Sequence, residues 1–271
     1  MIGLNYLGKM GQLGNQMFQY AALKGIANQN GYEYVLPNHN EEIQDGLGNT
    51  LRIELFDAFN IKHDKLGYLQ TSDSNNIQES HFHFDEKLFN SCPDHCCLIG
   101  FFQSPKYFEY IESEIRDDFK FRQEFIDDCQ PIIEQFDNPI GLHIRRGDFL
   151  INSANHYNLS LKYYKKALDE FDSNRQVIIF SDDSSWCRNQ PLFSDDRFLI
   201  SEDNGPYHDL YLMSQCTDFI IGNSTYSWWG AWLSNNDNKI VLYPNKWFGS
   251  NNKDKITDDL FPKEWRMIDE N

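Results

Sequence analysis

Ile140-Gly-Leu-His-Ile-Arg-Arg-Gly-Asp148 decides how this chain is read. Its first part, Ile140–Ile144, is an apolar run of strand length, and it ends on two arginines, a glycine and an aspartate. Alternation along a strand puts His143 and Arg145 on one face and Arg146 on the other. The same grammar recurs downstream. Val177-Ile-Ile-Phe180 ends at Ser181-Asp182-Asp183, Phe219-Ile-Ile221 ends at Gly222-Asn223-Ser224-Thr225, and residues 240–243 read as a last strand. Between these runs, an N-cap at Ser160 predicts a helix with Leu161, Tyr164, Leu168 and Phe171 on one face. Residues 207–216 read as another helix, and a tryptophan-rich helix runs to about Ser234. Strands alternating with helices at this spacing predict an α/β fold with a parallel sheet covered on both faces.

Upstream, Ile2 to Leu7 is apolar and leads into Gly11-Gln-Leu-Gly14-Asn15-Gln16. Met17, Phe18, Ala21, Ala22 and Gly25 then mark the buried face of a helix, and residues 32–36 read as the next strand. Strand, glycine loop, helix, strand is a βαβ unit. Residues 38–94 carry little periodicity. Residues 97–102 could be a strand and residues 122–136 a helix, with Pro131 predicting a kink or break. Asp137-Asn138-Pro139 marks a boundary, so the expected domains are 1–137 and 138–271.

The 271 residues hold 24 Lys+Arg against 41 Asp+Glu, a net charge of −17. Such a field argues against binding nucleic acid or an anionic membrane. With 40% apolar and 15% aromatic residues, a packed core is expected. There is no apolar run long enough to span a membrane and no secretory leader. The expectation is therefore a soluble, cytoplasmic protein. Its six cysteines should be reduced and buried, and the sequons at Asn158 and Asn223 should carry no sugar.

The second half is the less acidic (14 basic and 20 acidic groups, against 10 and 21 in residues 1–136), and it holds the only adjacent arginines. Ligands of open parallel sheets bind beyond the carboxyl ends of the strands. One site built from residues 143–148, 181–183 and 223–227 is the economical reading. Arg145 and Arg146 can fork onto phosphate oxygens, although an ordinary Arg–Asp ion pair uses the same residues. Ser181-Asp182-Asp183 could hold a divalent metal, bond a nucleoside edge or cap a helix. Ser224 or Thr225 suits a helix N-cap, and Trp228, Trp229 and Trp232 suit core packing more than stacking. The Gly11–Gln16 loop fits either a phosphate approached by backbone N–H groups or a plain tight turn, and it matches no nucleotide-loop fingerprint. His81, His83, Cys92, His95, Cys96 and Cys97 offer a zinc proposal without the usual paired spacing.

Taken together, GQLGNQMFQYAA (11–22), GFFQSPKYF (100–108), HIRRGDF (143–149), YYKKAL (163–168), FSDD (180–183) and NSTYSWWGAWL (223–233) resemble glycosyltransferase family 11, the α-1,2-fucosyltransferases. Pro244-Asn-Lys-Trp-Phe248 and Phe261-Pro-Lys-Glu-Trp265 look like its C-terminal signature. Where the family usually pairs glycines, this chain has Gln12 after Gly11. The resemblance implies a GT-B-like pair of Rossmann-type domains with parallel sheets facing a cleft. It also implies GDP-β-L-fucose as donor, the 2-hydroxyl of a galactose-terminated glycan as acceptor, inversion, and no metal or other cofactor. The C-terminal domain would hold the nucleotide and the N-terminal domain would shape the acceptor side.

On that resemblance, donor binding is expected from Gly14, Asn15, His143, Arg145, Arg146, Ser181, Asp182, Asp183, Asn223, Ser224, Thr225 and Ser227. Arg146 is expected to neutralise the leaving phosphate. Asp148 is the first candidate for the base and His156 the second, while Asp148 equally suits a role in orienting an arginine. Rival readings are another GDP-sugar or linkage, and a non-catalytic nucleotide-sugar or glycan-binding protein on the same fold.

Overall fold

The computed structural model describes residues 1–37, 41–62, 65–72 and 75–270. Residues 38–40, 63–64 and 73–74 of the weakly patterned stretch 38–94 lie outside the described residues. Two units form: Met1–Arg122 with Lys255–Pro262, and Gln123–Asp254 with Lys263–Asn271.

The first unit opens with β1 (Ile2–Gly3), α1 (Leu13–Asn30) and β2 (Tyr34–Val35), the βαβ order expected. An antiparallel pair, β3 (Ile43–Gln44) and β4 (Thr50–Leu51), follows with the short α2 (Leu55–Ala58). Next come β5 (Asn76–Gln78), α3 (Glu86–Ser91), β6 (Cys96–Ile99) and α4 (Glu112–Asp118). The sheet runs β2-β1-β6-β5, all parallel. Helix α1 is buried on most of its surface, and Gly25 is where the chain of Tyr107 crosses it. A Cβ there would stand 1.8 Å from the Tyr107 carbonyl oxygen.

The second unit starts at α5 (Gln123–Ile133), earlier than the expected boundary at 137/138. The reason is packing. Phe125 meets Tyr207 and His208 at ring distances of 5.5 and 4.9 Å, and His208 Nε2 lies 3.1 Å from Asp128 Oδ2. No break occurs at Pro131, which sits inside the helix near its end. Residues 255–262 are a second difference, since they return to the first unit. There Asp259 accepts from the Phe84 backbone N–H at 2.7 Å and, through its carbonyl, from Ser104 Oγ at 3.1 Å.

The remaining elements are β7 (Ile140–Ile144), α6 (Gly147–Ile151), α7 (Leu161–Leu168), β8 (Val177–Ser181), α8 (Ser184–Arg188) and β9 (Phe198–Ile200). They continue with α9 (Pro206–Ser214), β10 (Asp218–Ile220), α10 (Thr225–Leu233), β11 (Val241–Pro244) and β12 (Arg266–Ile268). Ser160 is the N-cap of α7 by backbone, but its hydroxyl bonds Glu270 Oε2 at 3.2 Å instead of capping. The sheet is six-stranded and wholly parallel, in the order β12-β11-β10-β7-β8-β9. Read from the other edge and renumbered, this is 3-2-1-4-5-6, the doubly wound dinucleotide-fold order. The order reverses between β7 and β10, and since β10, β7 and β8 are neighbours, all three polar loops leave the sheet side by side. The tryptophans pack inside as expected: Trp228 and Trp229 are fully buried, and Trp228 contacts Trp265 at 5.3 Å between ring centres.

All six cysteines are free and buried. Among the described residues no helix is long and apolar enough to cross a membrane.

Candidate active site

Beyond β7 the two arginines are held by carboxylates from two different strand ends. Arg145 Nη2 donates to Asp148 Oδ1 at 2.7 Å, and its Nη1 lies 3.0 Å from Asp182 Oδ2. The other oxygen of Asp182 accepts the Arg146 backbone N–H at 2.8 Å. Arg146 Nε donates to Asp183 Oδ2 at 3.0 Å, which holds the Asp183 carboxyl below the usual carboxylate range. Asp183 Oδ1 meanwhile caps α8 by accepting from Trp186 N at 3.0 Å. The guanidinium of Arg146 lies over the Trp186 ring, 3.9 Å from its centre. Gly147 lets Asp182 approach, since a Cβ there would come within 2.5 Å of Asp182 Oδ2. The Arg-Arg-Gly-Asp order is thus explained locally: two donors, a gap for an incoming carboxylate, and a clamp.

Ser181 ties the ends of β7 and β8 together, donating to the Ile144 carbonyl at 2.8 Å and accepting from Asp183 N at 3.0 Å. His143 is buried, and its Nδ1 has no hydrogen-bond partner. Burial, then the Arg145 charge, pushes its pKa down to about 3, so the imidazole is neutral at physiological pH. The Gly222 backbone passes close by, since a Cβ there would lie 3.0 Å from the His143 carbonyl and 3.4 Å from its Nδ1.

Beyond β10, Asn223 is buried and donates to the carbonyls of Tyr157 and Trp247 at 2.7 and 2.9 Å. Its amide hydrogens clasp the loops after β7, β10 and β11 together, and its burial removes any use as a sequon. Ser224 is the side-chain N-cap of α10, accepting from Tyr226 N, with Thr225 the first helical residue. Ser227 is fully buried with its hydroxyl 3.2 Å from the Ser224 carbonyl, so it shapes the turn from inside. A helix of this length presents unsatisfied N–H groups and a positive dipole end at its start. His156 stacks on Phe149 at 4.1 Å between ring centres, and Phe149 in turn lies under Arg145 at 5.5 Å.

Gly14 and Asn15 lie in the first turn of α1, in the first unit. Gly11 has φ 78°, and its missing Cβ leaves room for the Asn15 side chain. Gln103 Nε2 donates to Asn15 Oδ1 at 2.8 Å. Buried Gln16 holds the loop through the carbonyls of Arg52 and Gly11 (2.7 and 3.2 Å), and Gln19 reaches the Gly100 carbonyl at 2.9 Å. The motif builds a side-chain-braced turn, and the glutamines are its bracing.

Sequence reasoning missed one residue here. Trp186 carried no local signal beyond its closeness to Asp183. Outside the site, Asp209, near the start of α9, is half-buried and bonded by Ser201 Oγ at 2.6 Å, and burial pushes its pKa up to about 6. The zinc proposal is not supported: among the described residues no group of three or more His, Cys, Asp or Glu side chains is arranged to hold a metal. His81 and His83 stack at 3.8 Å, and the Cys92 and Cys96 sulfurs sit 3.7 Å apart.

The second unit thus sets two carboxylate-clamped guanidiniums beyond the carboxyl ends of a doubly wound sheet, beside its switch point, where ligands of such sheets bind. Residues 1–269 match glycosyl transferase family 11, and the chain belongs to that family. It is 29% identical to the O-antigen biosynthesis glycosyltransferase WbnK of Escherichia coli, over 92% of this chain and 96% of that one. It is also 29% identical to an alpha-1,2-colitosyltransferase of Escherichia coli, over 96% and 97%. Identity to galactoside alpha-(1,2)-fucosyltransferase 1 of Leontocebus fuscicollis is 25%, over 84% of this chain and 64% of that protein.

Solved structures of the same fold include POFUT1 in complex with GDP (12% identity, 89% of this chain and 97% of that one, TM-score 0.57). Another is the fucosyltransferase NodZ from Bradyrhizobium (13% identity, 85% and 92%, TM-score 0.55). The α/β, GT-B-like class expected from the sequence therefore stands, with two units on parallel sheets.

Proposed function

We propose that this chain moves L-fucose from GDP-β-L-fucose to the 2-hydroxyl of a terminal galactose, with inversion and without a metal ion. The carrying observation is the Arg145–Arg146 pair, held at the β7/β10 switch point by Asp148, Asp182 and Asp183. In the reaction the bond between the anomeric carbon and the β-phosphate oxygen breaks, and GDP leaves with the electron pair. The acceptor oxygen bonds to that carbon from the opposite face, and its proton passes to a base. Neutralising the charge that grows on the phosphate lowers the barrier, and donors fixed in advance do this without reorganising.

Guanidiniums clamped by carboxylates are such donors. They are needed all the more in a chain of net charge −17, whose overall field repels a nucleotide sugar. Neutral His143 offers a hydrogen bond instead of a charge. The start of α10 at Ser224 and Thr225 gives a second anion-stabilising group. The carboxylates of Asp182 and Asp183 are occupied by arginines, which supports the metal-free reading because a cation would have to displace them. Asp148 acts in this reading as the anchor of Arg145 as well as a candidate base, with His156 as the other.

A second reading keeps the site and changes the donor sugar, because one relative of equal identity is named as a colitosyltransferase. Colitose is L-fucose lacking the 3-hydroxyl. One experiment tests both: purified protein in EDTA with lactose and either GDP-L-fucose or GDP-L-colitose, followed by GDP release and NMR of the product. An α-1,2-linked fucosyl trisaccharide in EDTA is the expected result. Preference for the deoxy sugar would shift the assignment to the second reading. GDP release with no glycosidic product would overturn transfer to galactose.

A further inference from the structure

Three side chains of the second unit form a row that ends at the site. Arg145 lies over the Phe149 ring at 5.5 Å, and the His156 ring stacks on the same ring at 4.1 Å and 11° from parallel. Phe149 is buried in α6, one residue past the aspartate that anchors Arg145. The contact order is therefore His156, Phe149, Arg145.

Backbone fixes the outer end of the row. His156 forms an isolated antiparallel bridge with Phe248, and its N–H donates to the Asn152 carbonyl at 3.0 Å. Gly249 N donates to the Asn155 carbonyl at 3.0 Å, and Asn251 N to the Ala154 carbonyl at 2.7 Å. Gly249 permits this lacing, because a Cβ there would stand 2.4 and 2.6 Å from the Ser153 and Ala154 carbonyl oxygens. A ring carried on backbone held from both sides has little freedom to swing away.

These contacts separate two roles for His156. A general base must bring a ring nitrogen to the acceptor hydroxyl and take up its proton. A stacked ring works through its face and needs no titratable atom. Asp148 and Asp182 hold the two terminal nitrogens of Arg145, which fixes its edge. The Phe149 ring sets the plane of the guanidinium, since a cation is drawn to the face of an aromatic ring. Pinning Phe149 from His156 keeps that plane in place.

We propose that His156 is a positioning residue, which holds Arg145 through Phe149 and takes no proton from the acceptor. The proposal rests on the reading of Arg145 as a ligand of the donor phosphate, and it removes His156 from the two candidate bases.

The test compares the full chain with His156→Ala, His156→Phe and Phe149→Leu, using GDP-L-fucose and lactose. His156→Ala should lower kcat/KM about fivefold, mostly through KM for the donor. His156→Phe should restore most of that loss and keep the pH–rate profile of the parent. A phenylalanine variant as weak as the alanine one, or one whose profile has lost its acid limb, would overturn the proposal. A second readout does not depend on transfer: rotation of the Arg145 guanidinium about its Nε–Cζ bond, followed by NMR of isotope-labelled arginine side chains in the unliganded protein. Rotation should quicken in His156→Ala and in Phe149→Leu, and slow again in His156→Phe. That pattern supports the row even if no fucose is transferred, in which case only the transfer reading fails. Equal rotation in the parent and in His156→Ala overturns the proposal, whatever the activity.

Discussion

Arg146 lies over Trp186, its guanidinium carbon 3.9 Å from the ring centre, while its Nε is bonded to Asp183 at 3.0 Å. One face is covered and one edge is tied, so the remaining edge of the guanidinium is oriented before any ligand arrives. Stacking of this kind contributes about 0.5–2 kcal/mol. Trp186→Ala should lower kcat/KM about tenfold, and Trp186→Phe should restore most of it. An alanine variant with full activity in steady-state assays would remove the positioning role.

Substitution at Arg146 itself should be harsher. Arg146→Ala should cost about 10²–10³ in kcat/KM, the scale for losing one donor to developing charge. Arg146→Lys should not rescue it, because an ammonium cannot hold Asp183 and fork onto a phosphate together. Near-normal turnover by the lysine variant would show that the bidentate assignment is wrong.

Asp148 can be tested with its isosteric amide. Asp148→Asn can still accept the 2.7 Å bond from Arg145 but cannot take a proton at neutral pH. If anchoring is the main role, kcat/KM should fall by less than about tenfold, whereas losing a general base costs about 10²–10⁴. A pH–rate profile of both proteins checks this, since loss of the base would also remove the acid limb.

Asp209 makes stability depend on pH in a direction that can be stated. Burial raises its pKa to about 6 in the folded chain, above the ordinary carboxylate value near 4. The protonated form is therefore the one the fold favours. Its contribution is complete below about pH 4 and is lost as pH rises through about 6. Discounted for partial exposure, the loss is about 2 kcal/mol. Urea unfolding should find Asp209→Asn more stable than the parent at pH 7.5, with the difference vanishing near pH 4. A constant difference across that range would contradict the raised pKa.

Gly25 is a packing constraint in the middle of α1. Helix propensity alone favours alanine there by about 1 kcal/mol. The Tyr107 carbonyl oxygen would lie 1.8 Å from the new Cβ, and it belongs to backbone, which cannot simply rotate away. Gly25→Ala should destabilise by about 1–3 kcal/mol, the scale of overpacking, seen as a lower urea midpoint with unchanged slope. A stabilised variant would mean that the 105–111 segment moves freely off the helix.

Much of the second unit was legible because its signals are local. Apolar runs of strand length each ended on a polar cluster, and the structure finds strands at Ile140–Ile144, Val177–Ser181, Asp218–Ile220 and Val241–Pro244. Short strands such as β5, β9 and β12 carry too little pattern to stand out, and the hairpin of β3 and β4 is exposed over most of its length. Helix α5 was seen, but its allegiance was not. Amphipathic spacing says that Phe125 and Cys129 face a core, and it does not say which one.

The candidate site divides the same way. By itself the sequence determined which residue types would stand at the carboxyl ends of the strands, because a strand's end and the loop after it are neighbours along the chain. Only the tertiary structure decided that β7 and β10 are adjacent, that residues 255–262 belong with the first unit, and that Asp182 reaches both arginines. It also decided that Asn223 and Ser227 face inward as braces, while Trp186 supports Arg146. In the second unit, sheet pairing joins residues 21 or more positions apart, as between Val177 and Phe198, and the clasp between Arg146 and Asp182 spans 36. Such pairings are selected by the packing and hydrogen bonding of the whole unit, which leave no periodicity in the local sequence.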